Sequence, residues 1–196
     1  MLPLREAQAR MTRERIVEAA FAAFSQKGYQ ATSATEIASA AGASRATFYL
    51  HFATKAEIIL DVIDRHEPEL FERYTYLATH CCGSEQAICA WLAESIERWQ
   101  GEHLHYQAME QAVASEPKVA ARWMQSIGEA AARVADKLYP DGSPGETDAR
   151  HRTVLTLIIQ FERVMFFTVV GQLLDLDPFC RVLAAQWWEA LSRLRG

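Results

Sequence analysis

The sequence predicts an all-α fold: a small N-terminal three-helix unit followed by a larger helical region. Three observations predict it. Apolar residues recur at three- and four-residue steps almost throughout, and strand signals are nearly absent. Two capping boxes and a glycine turn divide the first 57 residues into short, sharply bounded helices. The composition, with 196 residues, 50% of them apolar and 23% charged, is that of a folded chain with ample core material.

The first helix is predicted over residues 12–27, where Ile16, Val17, Ala20, Phe21 and Phe24 form one face and Gly28 stops it. Ser33 and Glu36 of "SATE" make a capping box for a short second helix that Gly42 ends. Ser44 caps a third helix reaching about His51, and Thr54 with Glu57 opens a fourth. Two short helices joined by "AGAS" make a helix-turn-helix, seated on Phe21 and Phe24 through Ile37, Ala38, Phe48 and Phe52. In "ASRATFYLHF" the apolar residues seat the helix. Arg45, Thr47, Tyr49 and His51 remain to face a major groove, where base edges offer donors and acceptors.

Charge agrees with that placement. The net charge is −5, yet residues 1–55 carry a net of +3 and the remainder −8, so one end is suited to meet an anion. Double-stranded DNA is the expected partner.

Beyond residue 55 the expected elements are again helices. The fourth runs to about Thr79, with Pro68 implying a kink or break. Gly83-Ser84 restarts a helix to about Trp99, another reaches about Ala114, and "SEP" opens a seventh with proline in its first turn. "YPDGSPG", Tyr139 to Gly145, is the clearest loop. Residues 146–174 and a last helix, capped by Asp177 ahead of Pro178, carry more large apolar groups than one core requires, which suggests an interface.

The run "RERIVEAAFAAFSQKGYQATSATEIASAAGASRATFYLHFATKAEII" resembles the N-terminal signature of TetR-type transcriptional regulators. The matching positions lie between Phe24 and Lys55, and the resemblance covers about a quarter of the chain. Ala46 stands where many members carry glycine, a change that favours the helix. The resemblance implies that Thr47, Tyr49 and His51 contact bases or phosphates and that Lys55 binds phosphate. It puts Ser33 and Thr35 at the opening of the second helix, whose amides can face a phosphate, beside the cap Ser44. Arg45, at a variable position, is the candidate for a specific guanine contact.

It further implies a division into a DNA-binding domain, residues 1–55, and a ligand-binding and dimerisation domain, residues 56–196. The last two helices would pair with a second copy through Phe161, Met165, Thr168, Leu183, Trp187 and Leu191. A ligand pocket is expected around Trp91, Trp99, Tyr106, Met109, Trp123 and Phe161, with His103, His105, Tyr106 and Gln107 as polar tips. The ligand would be small and largely apolar, with one polar end.

Other function classes find little support. No nucleophile–base pairing, phosphate loop or metal-ligand spacing occurs in a suitable context, so no enzyme, cofactor or metal is expected. No run of about 18 uninterrupted apolar residues and no secretory signal is present, which points to a cytoplasmic protein away from membranes. The alternative is the same DNA-binding architecture with a thiol-oxidation or metal input at Cys81, Cys82 and Cys89. The expected function is a homodimeric repressor, released from a near-palindromic operator by its ligand.

Overall fold

In the computed structural model, which describes residues 4–171 and 176–194, α1 spans Leu4–Lys27 and is stopped by Gly28 at φ +83°. It starts eight residues before the predicted boundary, because the basic N-terminal stretch continues the helix. After it, α2 (Ala34–Ala40) is capped as expected: Ser33 Oγ accepts from the Glu36 N–H, and the Glu36 carboxylate accepts from the Ser33 N–H at 2.9 Å. At the other end Gly42 takes φ +63°. Its N–H donates to the Ser39 carbonyl, and the Ala43 N–H reaches the Ala38 carbonyl. This pair of bonds is the Schellman ending that needs a left-handed residue, and glycine supplies it without strain. Ser44 then caps α3 (Arg45–His51), accepting from the Thr47 N–H at 3.0 Å.

Among the described residues every regular element is a helix: α4 (Lys55–Tyr76), α5 (Glu85–Gly101), α6 (His103–Ser115), α7 (Pro117–Leu138), α8 (Pro144–Met165) and α9 (Leu176–Arg193). The helix α4 passes through Pro68 without ending there, and the irregularity comes later, as a π-helical turn over Leu77–Cys81. A second π-helical turn, Phe166–Val170, extends α8. The predicted loop shortens to five residues because Ser143 and Glu146 form a further capping box, which puts Pro144 in the first turn of α8. The helix α9 starts at Leu176, one residue before the expected cap; the side chain of Asp177 lies outside the described residues.

Two compact units result. The first comprises residues 1–65 and 104–122. Its core is Ile16, Ala20, Phe21, Phe24, Tyr29, Ile37, Phe48, Phe52, Ile58 and Ile59, so the floor predicted for the helix-turn-helix is present. The second comprises residues 66–103 and 123–196. Here Tyr74, Trp91, Phe161 and Trp187 form a buried aromatic cluster, with Trp91 centred 6.0 Å from both Phe161 and Trp187. Aromatic pairs at this separation add to the stability that area burial alone supplies.

Residues 144–170 are long and apolar enough to cross a membrane, with a mean hydropathy of 1.7 over their most apolar 18-residue window. A third of that window is buried in this chain, through inward-facing side chains such as Val154, Leu157, Ile158, Phe161 and Met165.

The burial pattern corrects one expectation. Phe161, Met165, Thr168, Leu183, Trp187 and Leu191, predicted to meet a second copy, are all buried within the single chain. A side chain already enclosed has no surface left to offer a partner. The outer faces of the same helices instead present Ile159, Phe167 and Val182, with Ile159 41% and Val182 53% exposed. Gln160 and Gln186 bridge α8 and α9 beside them at 2.6 Å.

Candidate nucleic-acid interface

The surface of the first unit is set by α3, which has seven residues and only one of them, Phe48, fully buried. Phe48 and Phe52 anchor the helix; Arg45, Ala46, Tyr49 and Leu50 are exposed, and Thr47 and His51 are half-buried. Arg45 is exposed and makes no ion pair among the described residues; its guanidinium lies 5.5 Å from the centre of the Tyr49 ring. Tyr49, 46% exposed, stands edge-on to Phe48, which fixes its ring while leaving the hydroxyl end outward. Thr47 is held closer, its hydroxyl 2.8 Å from that of Ser44. Arg45, Tyr49, Ser44 and Thr47 therefore occupy one capped, solvent-facing turn, and Ser33 and Thr35 are exposed at the start of α2.

Leu50 was grouped by its apolar character with Phe48 and Phe52, but it is 82% exposed. The spacing contained the signal. Residues two apart on a helix lie on nearly opposite sides, so Leu50 cannot share a face with both phenylalanines. An exposed leucine on such a helix suits a thymine methyl group.

His51 is half-buried, and the backbone around it is clamped from behind. Arg13 donates to the His51 carbonyl at 2.7 Å, grips Asp61 at 2.9 and 3.2 Å, and lies 4.0 Å over the Phe52 ring. Asp61 is shared with Arg65. One arginine thus ties α1, the end of α3 and α4 together. It satisfies a terminal carbonyl of α3 that would otherwise lack a donor. Sequence reasoning missed Arg13 because its partners are 38 and 48 residues away.

Lys55 differs from its expected role. Its ammonium donates to the carbonyls of Tyr29, Gln30 and Thr32 at 2.7, 3.1 and 3.0 Å, and lies 4.4 Å from the centre of the Tyr29 ring. Those are all three donors an ammonium has. A lysine so engaged has no N–H left for a phosphate. Partial burial pushes its pKa down, with the charge of Glu116 opposing.

Tyr29 itself is held from the other end of the unit. Its N–H donates to Gln111 at 2.6 Å and its hydroxyl to Glu116 at 3.1 Å. Burial, then the bond and charge of Glu116, raise the phenol's pKa far above its ordinary value. His105 of α6 meets Phe21 edge-to-face at 4.5 Å. Glu36, bonded to Lys27 and Ser33, is held down to about 2, chiefly by its bond from Lys27.

The residues predicted to line a ligand pocket are divided. Tyr106 and Met109 belong to the first unit; Trp91, Trp99, Trp123 and Phe161 belong to the second. Trp91, Trp99 and Phe161 are core side chains. A cavity of about 330 Å³ in the second unit is lined by His103, one of the expected polar tips, together with Gln100, Thr168 and Val169, which were not expected there. Near the aromatic cluster, Arg73 donates to the buried Ser95 hydroxyl at 2.9 Å and sits 5.8 Å from the centre of the Trp91 ring. Among the described residues no group of three His, Cys, Asp or Glu side chains is placed to hold a metal ion.

Residues 16–62 match the family model described as bacterial regulatory proteins, tetR family. The chain is 37% identical over 65 residues to the HTH-type transcriptional regulator AcrR of Shigella flexneri, covering 33% of this chain and 30% of that one. It is 28% identical over 114 residues to the HTH-type transcriptional repressor KstR2 of Mycobacterium tuberculosis, 57% of each chain. The chain thus spans 30% and 57% of the length of these two curated relatives. A crystal structure of a TetR-family regulator from Syntrophomonas wolfei superposes with a TM-score of 0.71 at 12% identity, over 95% of this chain and 96% of that one. At that identity the likeness is one of fold.

Proposed function

With the N-terminal domain of a TetR-type transcriptional regulator as its premise, we propose that this chain is a homodimeric, cytoplasmic repressor released from its operator by a small ligand. Residues 1–55 are its DNA-binding domain, and residues 56–196 carry dimerisation and response. The observation that carries the DNA assignment is Arg45: exposed, without an ion pair among the described residues, and beside Tyr49 on a seven-residue helix capped by Ser44. Arg45 reads a guanine, Leu50 meets a thymine methyl, and Tyr49, Thr47 and His51 contact flanking bases or phosphates. Ser33, Thr35 and the first amides of α2 take a phosphate. Lys55 supports the interface by holding the 29–32 turn.

Two copies pair through the outer face of α8 and α9, with Ile159, Phe167 and Val182 as the apolar contacts. Support comes from residues 144–170, whose most apolar 18-residue window is only one-third buried by its own chain. A twofold dimer presents the same helix twice, so the operator is a near-palindrome with half-sites about 34–36 Å apart.

The ligand enters the second unit beside Gln100, His103, Thr168 and Val169. The polar tips of Gln100, His103 and Thr168 beside Val169 favour a ligand with an apolar body and one polar end. Release follows from binding one of two conformations more tightly; a hundredfold loss of DNA affinity needs about 2.7 kcal/mol of preference. Selection of bound duplexes from a random library tests the DNA assignment, and a palindromic consensus containing guanine is expected. Small molecules that release that duplex should quench or shift tryptophan fluorescence. A library that yields no consensus refutes the reading.

A further inference from the structure

Two of the four cysteines, 91 residues apart in sequence, lie side by side in the second unit. Cys89 Sγ is 3.7 Å from Cys180 Sγ, and the Cys180 thiol donates to the Cys89 carbonyl at 3.6 Å. Cys89 lies on α5 and Cys180 in the first turns of α9. A disulfide requires an S–S distance of about 2.04 Å, so the sulfurs have only about 1.7 Å to close. Cys89 is partly exposed while Cys180 is buried. That is the arrangement of an attacking thiol open to a small oxidant with a resolving thiol behind it.

Cys81 and Cys82 are different. Both are buried, Cys81 at the end of the π-helical turn and Cys82 just after it, and burial with the charge of Glu94 pushes the Cys81 thiol up, away from the reactive thiolate. The sequence-based alternative, an input shared by Cys81, Cys82 and Cys89, therefore finds no support: the contact that Cys89 makes is with Cys180.

We propose that Cys89 and Cys180 form a reversible disulfide site, oxidised by a hydroperoxide, that staples the start of α9 to α5. The Cys89 thiolate attacks the outer peroxide oxygen. An S–O bond forms and the O–O bond breaks, giving a sulfenic acid and an alcohol that carries the proton released by Cys89. Cys180 sulfur then attacks Cys89 sulfur. The S–S bond forms, the S–O bond breaks, and hydroxide leaves with the Cys180 proton as water. Two thiols and one hydroperoxide become one disulfide, one alcohol and one water. A dithiol reductant reverses it by exchange.

The test uses the full chain treated with cumene hydroperoxide. Two of the four thiols should disappear. Digestion with trypsin and a Glu-specific protease should join residues 86–94 to residues 164–181, and dithiothreitol should separate them. Because the bond closes a long loop, the oxidised protein should melt several degrees higher, with the shift reversed by reduction. In Cys180→Ser the bridge should be lost and Cys89 should instead be trapped by dimedone as its sulfenic acid. Retention of all four thiols, bridges to Cys81 or Cys82, or bridges only between separate chains would overturn the proposal. The cross-link is read on the unsubstituted protein, so the result does not depend on any variant folding.

Discussion

Replacing Lys55 by methionine separates two roles for the same side chain. Methionine keeps an apolar stem against the Tyr29 ring but removes the ammonium that bonds to three carbonyls. The Gln30 carbonyl belongs to an exposed residue, and water replaces that bond at little cost. Tyr29 and Thr32 are both buried, but the Tyr29 carbonyl also accepts from the Thr32 N–H at 3.3 Å and keeps that donor. The Thr32 carbonyl has no other donor among the described residues; a buried acceptor left so costs about 1–3 kcal/mol, and the partial exposure of Lys55 argues for the lower end. The variant should therefore lose about 1–1.5 kcal/mol. For a chain of this length that lowers the melting temperature by roughly 2–6 °C. Thermal unfolding by circular dichroism reads the first quantity. The salt dependence of operator binding at a temperature where both proteins are folded reads the second. A phosphate-binding lysine would reduce the salt slope by about 0.9; a lysine that holds the 29–32 turn leaves it unchanged. An unaltered melting temperature combined with a shallower slope would refute the structural role.

Arg45→Ala should relax preference at one guanine in each half-site by about 1–3 kcal/mol while sparing the melting temperature, read by competition between operator variants. Ile159→Asp or Val182→Asp should raise the dimer dissociation constant at least a hundredfold without unfolding the chain, since each puts a carboxylate into an apolar contact. Leu191→Asp should instead unfold it, and light scattering with circular dichroism distinguishes the two cases. Glu36→Gln should flatten the acid limb of stability. Glu36 is held down to about 2 from an ordinary value of 4.5, so its contribution is complete above pH 4.5 and disappears as the pH falls toward 2. The parent protein should lose more stability than the variant across that window, measured by melting at each pH.

What could be read from the residues was what is encoded locally. The caps Ser33 and Ser44, the capping-box partner Glu36, and the left-handed Gly28 and Gly42 act over four residues or fewer, and each bounds its helix in the structure. Pro68 shows the limit of such signals: α4 passes through it, and the irregular turn comes only at Leu77–Cys81. The long-range assignments were not legible. Periodicity identifies an apolar face but not whether the same chain or a second copy covers it. The largest side chains of α8 and α9 went to the protomer's own core, which leaves the sparser Ile159 and Val182 outside.

Lys55 and Arg13 carry that point into the candidate site. Both are cations within a basic segment, so charge counting assigns them to DNA. In the fold each is consumed by carbonyls or a carboxylate: Lys55 by the 29–32 turn, Arg13 by His51 and Asp61. Lys27 is likewise paired with Glu36. The net +3 of residues 1–55 therefore overstates what faces a phosphate, and on the surface of α3 Arg45 has no ion pair among the described residues. Affinity would then rest less on salt-screened phosphate contacts than on base edges, Leu50 and helix amides. The operator complex should show a shallow salt slope for its affinity, well below the seven charges that composition suggests. A slope near −6 would mean that the paired cations let go of their partners when DNA arrives, and that the clamps described for Arg13 and Lys55 open on binding.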